Sequence, residues 1–250
     1  MSAMRLNKYL AQCGICSRRD ADKLIADGKV LVNGVPAQMG QTVSEQDKVQ
    51  VGKRVMGPQK KVVLACYKPV GVTCTERDAH AERIITDLIR YPVRVTYAGR
   101  LDKDSEGLLL LTNDGDLIDA MMRGANQHEK EYVVKVDREV TEIFLQRMAG
   151  GIYLKELKAQ TRSCEVEKMG KYTFRIVLTQ GLNRQIRRMC NTLGYEVVQL
   201  KRTRVMNIVL DGLKPGAYRE LNEQECMELY RRAGMAGGDH GSGKTEFSAE

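Results

Sequence analysis

Three acids stand on alternate positions in the segment Gly99-Arg100-Leu101-Asp102-Lys103-Asp104-Ser105-Glu106-Gly107. Asp102 has Arg100 two positions before it and Lys103 beside it, and neighbouring cations favour the ionised form of a carboxylate. A positioned, ionised aspartate can act as a nucleophile or a base. The same residues equally describe a loop whose charges compensate one another, since structural ion pairs also perturb carboxylates. The flanking elements place the loop. Residues 93–97 have the β-branched and aromatic content of a strand, and the leucine run 108–111 is short enough to be a buried strand, so the loop should project from a sheet.

A second set of candidates lies at 180–204, where six Lys/Arg face one acid, Glu196. If Asn183 caps a helix that ends at Gly194, then Ile186, Met189, Cys190 and Leu193 form one stripe, with Arg184, Arg187 and Arg188 on the opposite side. One face packs and the other is cationic. The planar guanidinium fork suits phosphate and carboxylate alike, and a solvated surface face would read the same way.

Composition narrows the classes. The chain has 250 residues, a net charge of +8 and a pI near 9.1, which allows one to two domains and points to a polyanionic partner. Residues 1–61 alone carry eleven Lys/Arg against five acids. Seven cysteines and the lack of a signal-peptide h-region argue against a disulfide framework and for a cytoplasmic protein. Cys13-x-x-Cys16 has no second pair, and His80, His128 and His240 are far apart, so no metal site is expected. No apolar run approaches the ~20 residues that cross a bilayer, so no membrane is expected as a partner.

In chain order, Ser17 and Asp20 form a capping-box pattern ahead of an apolar face at Ala21, Leu24 and Ile25. Residues 29–34 then read as a strand running into the Asn33-Gly34 turn. Residues 52–61 read as a linker, and residues 62–232 as a second, β-rich unit. Strands are expected at 62–67, 131–136 and 172–178. Short helices are expected at 84–90 and 141–149, with another that Asp116 begins and that runs through Arg123. Without a regular βαβ rhythm, the class is α+β. Gly238 to Thr245 satisfies the P-loop pattern, but no buried strand precedes it and only five residues follow. It is assigned to a disordered tail, residues 233–250, and no nucleotide cofactor is expected.

Residues 5–51 resemble the αL RNA-binding module of a small-subunit ribosomal protein, on Arg5 to Leu10, Ser17-Arg18-Arg19, Val32-Asn33-Gly34 and Asp47 to Val51. Residues 5 to about 230 resemble the RsuA/RluB/RluE/RluF family of pseudouridine synthases. The motifs are Lys68-Pro69-Val70-Gly71, Gly99 to Asp116, Lys130-Glu131-Tyr132, and Gln180 to Cys190. The last, with Arg202 to Asn207, is most similar to the RluF branch. Tyr67 and Tyr97 stand where the family usually has asparagine and proline.

The resemblance implies a largely antiparallel sheet around a central cleft, and an enzyme that detaches uracil from its ribose, turns the base and rejoins it through carbon five. It implies neither metal nor cofactor. Asp102 takes the family's catalytic aspartate, Tyr132 the tyrosine that stacks on the target base, and Arg187 the arginine that pairs with the aspartate. Arg184 and Arg188 are then expected on phosphates. Further RNA contacts are expected from Arg5, Lys8, Arg18 and Arg19 of the small module, from Arg100 and Lys103 of the loop, and from Lys201 and Arg202. The expected partner is large-subunit ribosomal RNA, with a tRNA anticodon as a second substrate, met by a monomer. The alternative is a non-catalytic RNA-binding or ribosome-assembly protein on the same fold.

Overall fold

The computed structural model describes residues 3–75, 82–123 and 127–235; His80, His240, the P-loop-like segment and most of the expected tail lie outside them. Helices Leu6–Gln12 and Arg18–Ala26 pack against a four-stranded sheet ordered Val35–Pro36, Val30–Val32, Val49–Val51, Arg54–Val55. Their core joins Leu6, Leu10, Ala21, Ile25, Val30 and Val49. The second helix starts as its sequence requires: the Ser17 hydroxyl accepts from the Asp20 amide and donates to the Asp20 carboxylate at 2.8 Å. Asn33 (φ 53°) and Gly34 (φ 83°) make the paired positive-φ turn that a tight hairpin needs. Arg54 and Val55, expected in the linker, instead form the fourth strand, because Val51 and Gln50 offer them an open edge.

The larger unit is built on a sheet of nine strands among the described residues. Its main path runs Glu165–Gly170, Thr173–Leu178, Lys130–Val136, Val197–Val205, Glu106–Thr112, Val63–Lys68, Tyr218–Glu220; Ile208–Val209 and Thr96–Ala98 lie off it. Pairing is antiparallel apart from one short parallel contact, Lys201 to Glu106 and Arg202 to Gly107. The class is α+β, with helices on the sheet.

The leucine run shows why it reads as a continuous apolar stretch. Successive strand residues point to opposite faces, and both faces of Glu106–Thr112 are covered. Leu108 and Leu110 pack with Leu117, Met121 and Leu229, whereas Leu109 and Leu111 pack with Val72, Ile85 and Leu101. A third core, around Phe144, Phe174, Ile186 and Met189, lies under helices Glu142–Gly150 and Gln185–Thr192.

Two helix starts differ from expectation. Asp114, and not Asp116, caps Gly115–Met122: its carboxylate accepts from the amides of Asp116 and Leu117. The buried Asp114 also accepts from the Tyr230 hydroxyl at 2.8 Å and pairs with Lys61 at 2.9 Å, contacts available only in the folded chain. Arg184, and not Asn183, occupies the N-cap of Gln185–Thr192, in the left-handed region at φ 50°.

Contacts hold the two units together. Lys8 of the small unit pairs with Asp116 of the larger one at 2.6 Å, and the linker is tied at both ends: the Tyr9 hydroxyl donates to the Met56 carbonyl, and Asn113 bonds the backbone of Lys60 and Val62. Among the described residues no helix is long and apolar enough to cross a membrane.

Candidate active site

The loop around Asp102 is held from below. Gly99 sits at φ 87°, a left-handed conformation that disfavours a side chain. At Gly107 the constraint is contact: a Cβ there would lie 2.2 Å from the Arg202 carbonyl, so the parallel crossing of the two strands requires glycine. Between them the Leu101 side chain is buried, its amide faces the Cys74 sulfur at 3.5 Å, and the Ser105 amide donates to the Asp102 carbonyl at 3.1 Å. Asp102 is thereby presented at the surface, its side chain 36% exposed.

Two buried cations complete that floor. Lys68 ends the Val63–Lys68 strand at 0% exposure, and its Nζ donates to the carbonyls of Ser105 (2.7 Å) and Pro69 (2.9 Å). Burial pushes the Lys68 ammonium below its ordinary value, opposed by the nearby acids Asp104 and Asp102. Arg202, 3% exposed, donates to the carbonyls of Leu108 (2.7 Å) and Arg100 (3.3 Å). Arg202 was expected on the RNA face; the structure corrects that, because the strand crossing at Gly107 carries its side chain under the loop.

Above the floor, two arginines converge from the distant 184–187 segment. Arg184 forms a fork on Asp104, with Nη1 to Oδ1 at 3.1 Å and Nη2 to Oδ2 at 2.8 Å, and its Nη1 lies 3.6 Å from Asp102 Oδ2. Arg187 donates to the Asp104 carbonyl (2.8 Å) and the Val197 carbonyl (3.1 Å), with its Nε 3.3 Å from Asp104 Oδ2. The expected partners are therefore exchanged: Arg184, assigned to phosphate, stands next to Asp102, and Arg187, assigned to Asp102, holds Asp104. The left-handed Arg184 backbone starts the helix one residue later than Asn183 would. Hydrogen bonds from Arg184 hold the Asp104 carboxyl below the usual carboxylate range.

Tyr132 is half-buried on the Lys130–Val136 strand, opposite Arg202, and packs against the cluster that contains Leu101. The aromatic ring and the aspartate loop thus share one supporting core. Tyr67, the departure from the family pattern, has a local function: its hydroxyl donates to Glu106 at 2.7 Å and its ring lies 5.1 Å beneath the Lys201 ammonium. Burial, with that hydrogen bond, pushes the Tyr67 phenol up to about 12.

The remaining expected cations frame the site. Arg5, Arg18, Arg19, Arg100 and Lys103 are exposed. Arg18 and Arg19, with Lys8 and Arg94, line a groove of ≈ 400 Å³ between the two units. A second groove, ≈ 850 Å³, runs past Arg184, Arg187 and Arg188, with Arg188 paired to Glu156. Among the described residues no group of three His, Cys, Asp or Glu side chains could hold a metal ion. Sequence reasoning missed Lys68 and Asp104 as parts of the site. A charged residue ending an otherwise apolar strand was the available signal for the first, and its place among the three alternating acids of the loop was the signal for the second.

Comparisons with known proteins fit this geometry. Residues 62–192 match the family model described as RNA pseudouridylate synthase, and residues 4–49 match the S4 domain. The chain is 45% identical over 233 residues to the dual-specificity RNA pseudouridine synthase RluF of Escherichia coli strain K12, covering 92% of this chain and 79% of that protein. It is 38% identical over 244 residues to the ribosomal large subunit pseudouridine synthase B of Bacillus subtilis strain 168, covering 95% and 98%. A solved structure described as a pseudouridylate synthase superposes with a TM-score of 0.68 at 29% identity, over 90% of this chain and 99% of that one.

Proposed function

The chain belongs to the RNA pseudouridylate synthase family, and from that membership we propose that it isomerises particular uridines in large-subunit ribosomal RNA and in a tRNA anticodon. Asp102 acts on the ribose as uracil is detached; Tyr132 stacks on the base and, once the turned base has rejoined the ribose through carbon five, takes the proton that carbon five gives up. The observation that carries this reading is the Asp102 carboxylate: half-exposed on a loop fixed by Lys68 and Arg202, with a guanidinium 3.6 Å away. Fixed surroundings of this kind keep a reacting group in a productive geometry without reorganisation during the step.

RNA lies along the groove past Arg184, Arg187 and Arg188 at the site and along the groove between the two units. The small N-terminal unit supplies phosphate contacts through Arg18 and Arg19 in the groove between the units and through the exposed Arg5 elsewhere on its surface, which makes affinity depend on salt. A flipped uridine then lies between the Asp102 loop and the Tyr132 ring, as chemistry on a base requires. The protein acts as a monomer in the cytoplasm.

The test uses ribosomal RNA and tRNA transcripts labelled with tritium at carbon five of uridine. Wild type should release tritium from both, and mapping the products fixes the positions. Release from ribosomal RNA alone would remove the anticodon from the proposal. No release from either transcript, nor from any cellular RNA, would favour the non-catalytic assembly protein.

A further inference from the structure

The two carboxylates of the loop are bonded very unequally. Among the described residues no hydrogen bond reaches the Asp102 carboxylate, whose nearest cation is the Arg184 Nη1 at 3.6 Å. Asp104, two residues on, takes both prongs of Arg184 and also meets Arg187 through its carboxylate and its carbonyl. Arg184 reaches this geometry from a left-handed backbone, a strained conformation that persists where the surrounding structure imposes it. Arg187 is fixed by the Val197 carbonyl as well, so it cannot replace Arg184 without giving up its own hydrogen bonds.

We propose that Asp104 is a positioning residue that detains Arg184, keeping its guanidinium beside Asp102 but too far away to cover the oxygens that must react. The proposal rests on the assigned pseudouridine synthase activity. A bidentate arginine fork is among the strongest bonds a carboxylate accepts, and it occupies the lone pairs a nucleophile uses. Asp104 offers that fork a site beside Asp102. Without the Asp104 charge, Asp102 is the acid that remains within reach of Arg184, and Lys68 beneath the loop is already committed to the carbonyls of Ser105 and Pro69.

Single-turnover tritium release, read with RNA affinity, separates this from a structural role. Asp104→Asn should lower the rate by about tenfold to a hundredfold, the scale of a misplaced reacting group, and leave the Kd for RNA within about threefold. Asp104→Glu keeps the charge and should retain most of the rate. Adding Arg184→Gln to Asp104→Asn removes the fork that would cover Asp102, so the double variant should be faster than Asp104→Asn alone. A double variant no faster than the single one, or an Asp104→Asn protein at the wild-type rate, would overturn the proposal. A readout independent of activity comes from the crystal structure of Asp104→Asn, which should place Arg184 about 3 Å from Asp102, within hydrogen-bond distance. Arg184 still pointing at position 104 would refute the inference, whereas an inactive wild type would refute the assigned activity instead.

Discussion

Arginines and acids gather at the Asp102 loop and again across the far strands of the sheet. In the second, Arg175 engages Glu131, Glu165 and Glu167, while Arg204 engages Glu129 and Glu131, and the Thr203 hydroxyl also donates to Glu131. These are cross-strand neighbours, since Arg175 lies opposite Glu167, and Glu131 opposite Arg204. Each of those acids is paired, and the cluster fastens strands. At the loop, Asp104 is as fully bonded as those glutamates, but Asp102 is not. The two clusters therefore differ in how completely their acids are bonded. The distinguishing feature is one carboxylate left open beside a neighbour that is saturated.

The largest expected effect tests whether the floor of the loop is essential. Arg202→Met removes a buried guanidinium that holds the Arg100 carbonyl of the loop and the Leu108 carbonyl of the strand that follows it, and loss of charge-assisted bonds of that kind costs about 3 kcal/mol. Denaturant unfolding should show that loss, and tritium release should fall with it. An unchanged rate would mean that the loop holds its shape without the buried cation.

An intermediate effect separates binding from chemistry. Arg18→Ala with Arg19→Ala should weaken RNA binding and reduce the slope of log K against log salt by about 2, one for each phosphate no longer neutralised. The single-turnover rate at saturating RNA should not change. A lower saturated rate with an unaltered slope would reverse the division of labour between the two units.

The smallest effect belongs to the fastening cluster. Arg175→Ala should lower stability by about 1 kcal/mol or less, as expected of partly exposed ion pairs, with the rate unaltered. A large fall in rate would place chemistry in both clusters and end the contrast between them.

The sequence made much of the frame legible, because the features involved are local. Ser17 capping its helix, Asn33-Gly34 closing its hairpin, and a leucine run between two covered faces each follow from a few neighbouring residues. The loop also projects from the sheet as residues 93–111 suggest, although its first strand is only Thr96–Ala98. What escaped depends on packing between distant segments. Arg202 reads as one more surface arginine until the parallel contact with Gly107 buries it. Lys68 reads as part of a turn until the loop closes over it. The exchange of Arg184 and Arg187 comes with a helix that starts at a left-handed residue, and side-chain periodicity cannot show where such a helix begins.

Under the proposed assignment, two aspartates, two positions apart, have different tasks: one reacts and the other holds a guanidinium in place. Single-turnover tritium release by Asp102→Asn and Asp104→Asn, measured on the same labelled RNA at saturating enzyme, separates those tasks. Asp102→Asn should give no release and Asp104→Asn slow but measurable release, with both variants binding RNA like wild type. Release by Asp102→Asn, or complete loss in both, would show that the two carboxylates do not divide the work in this way.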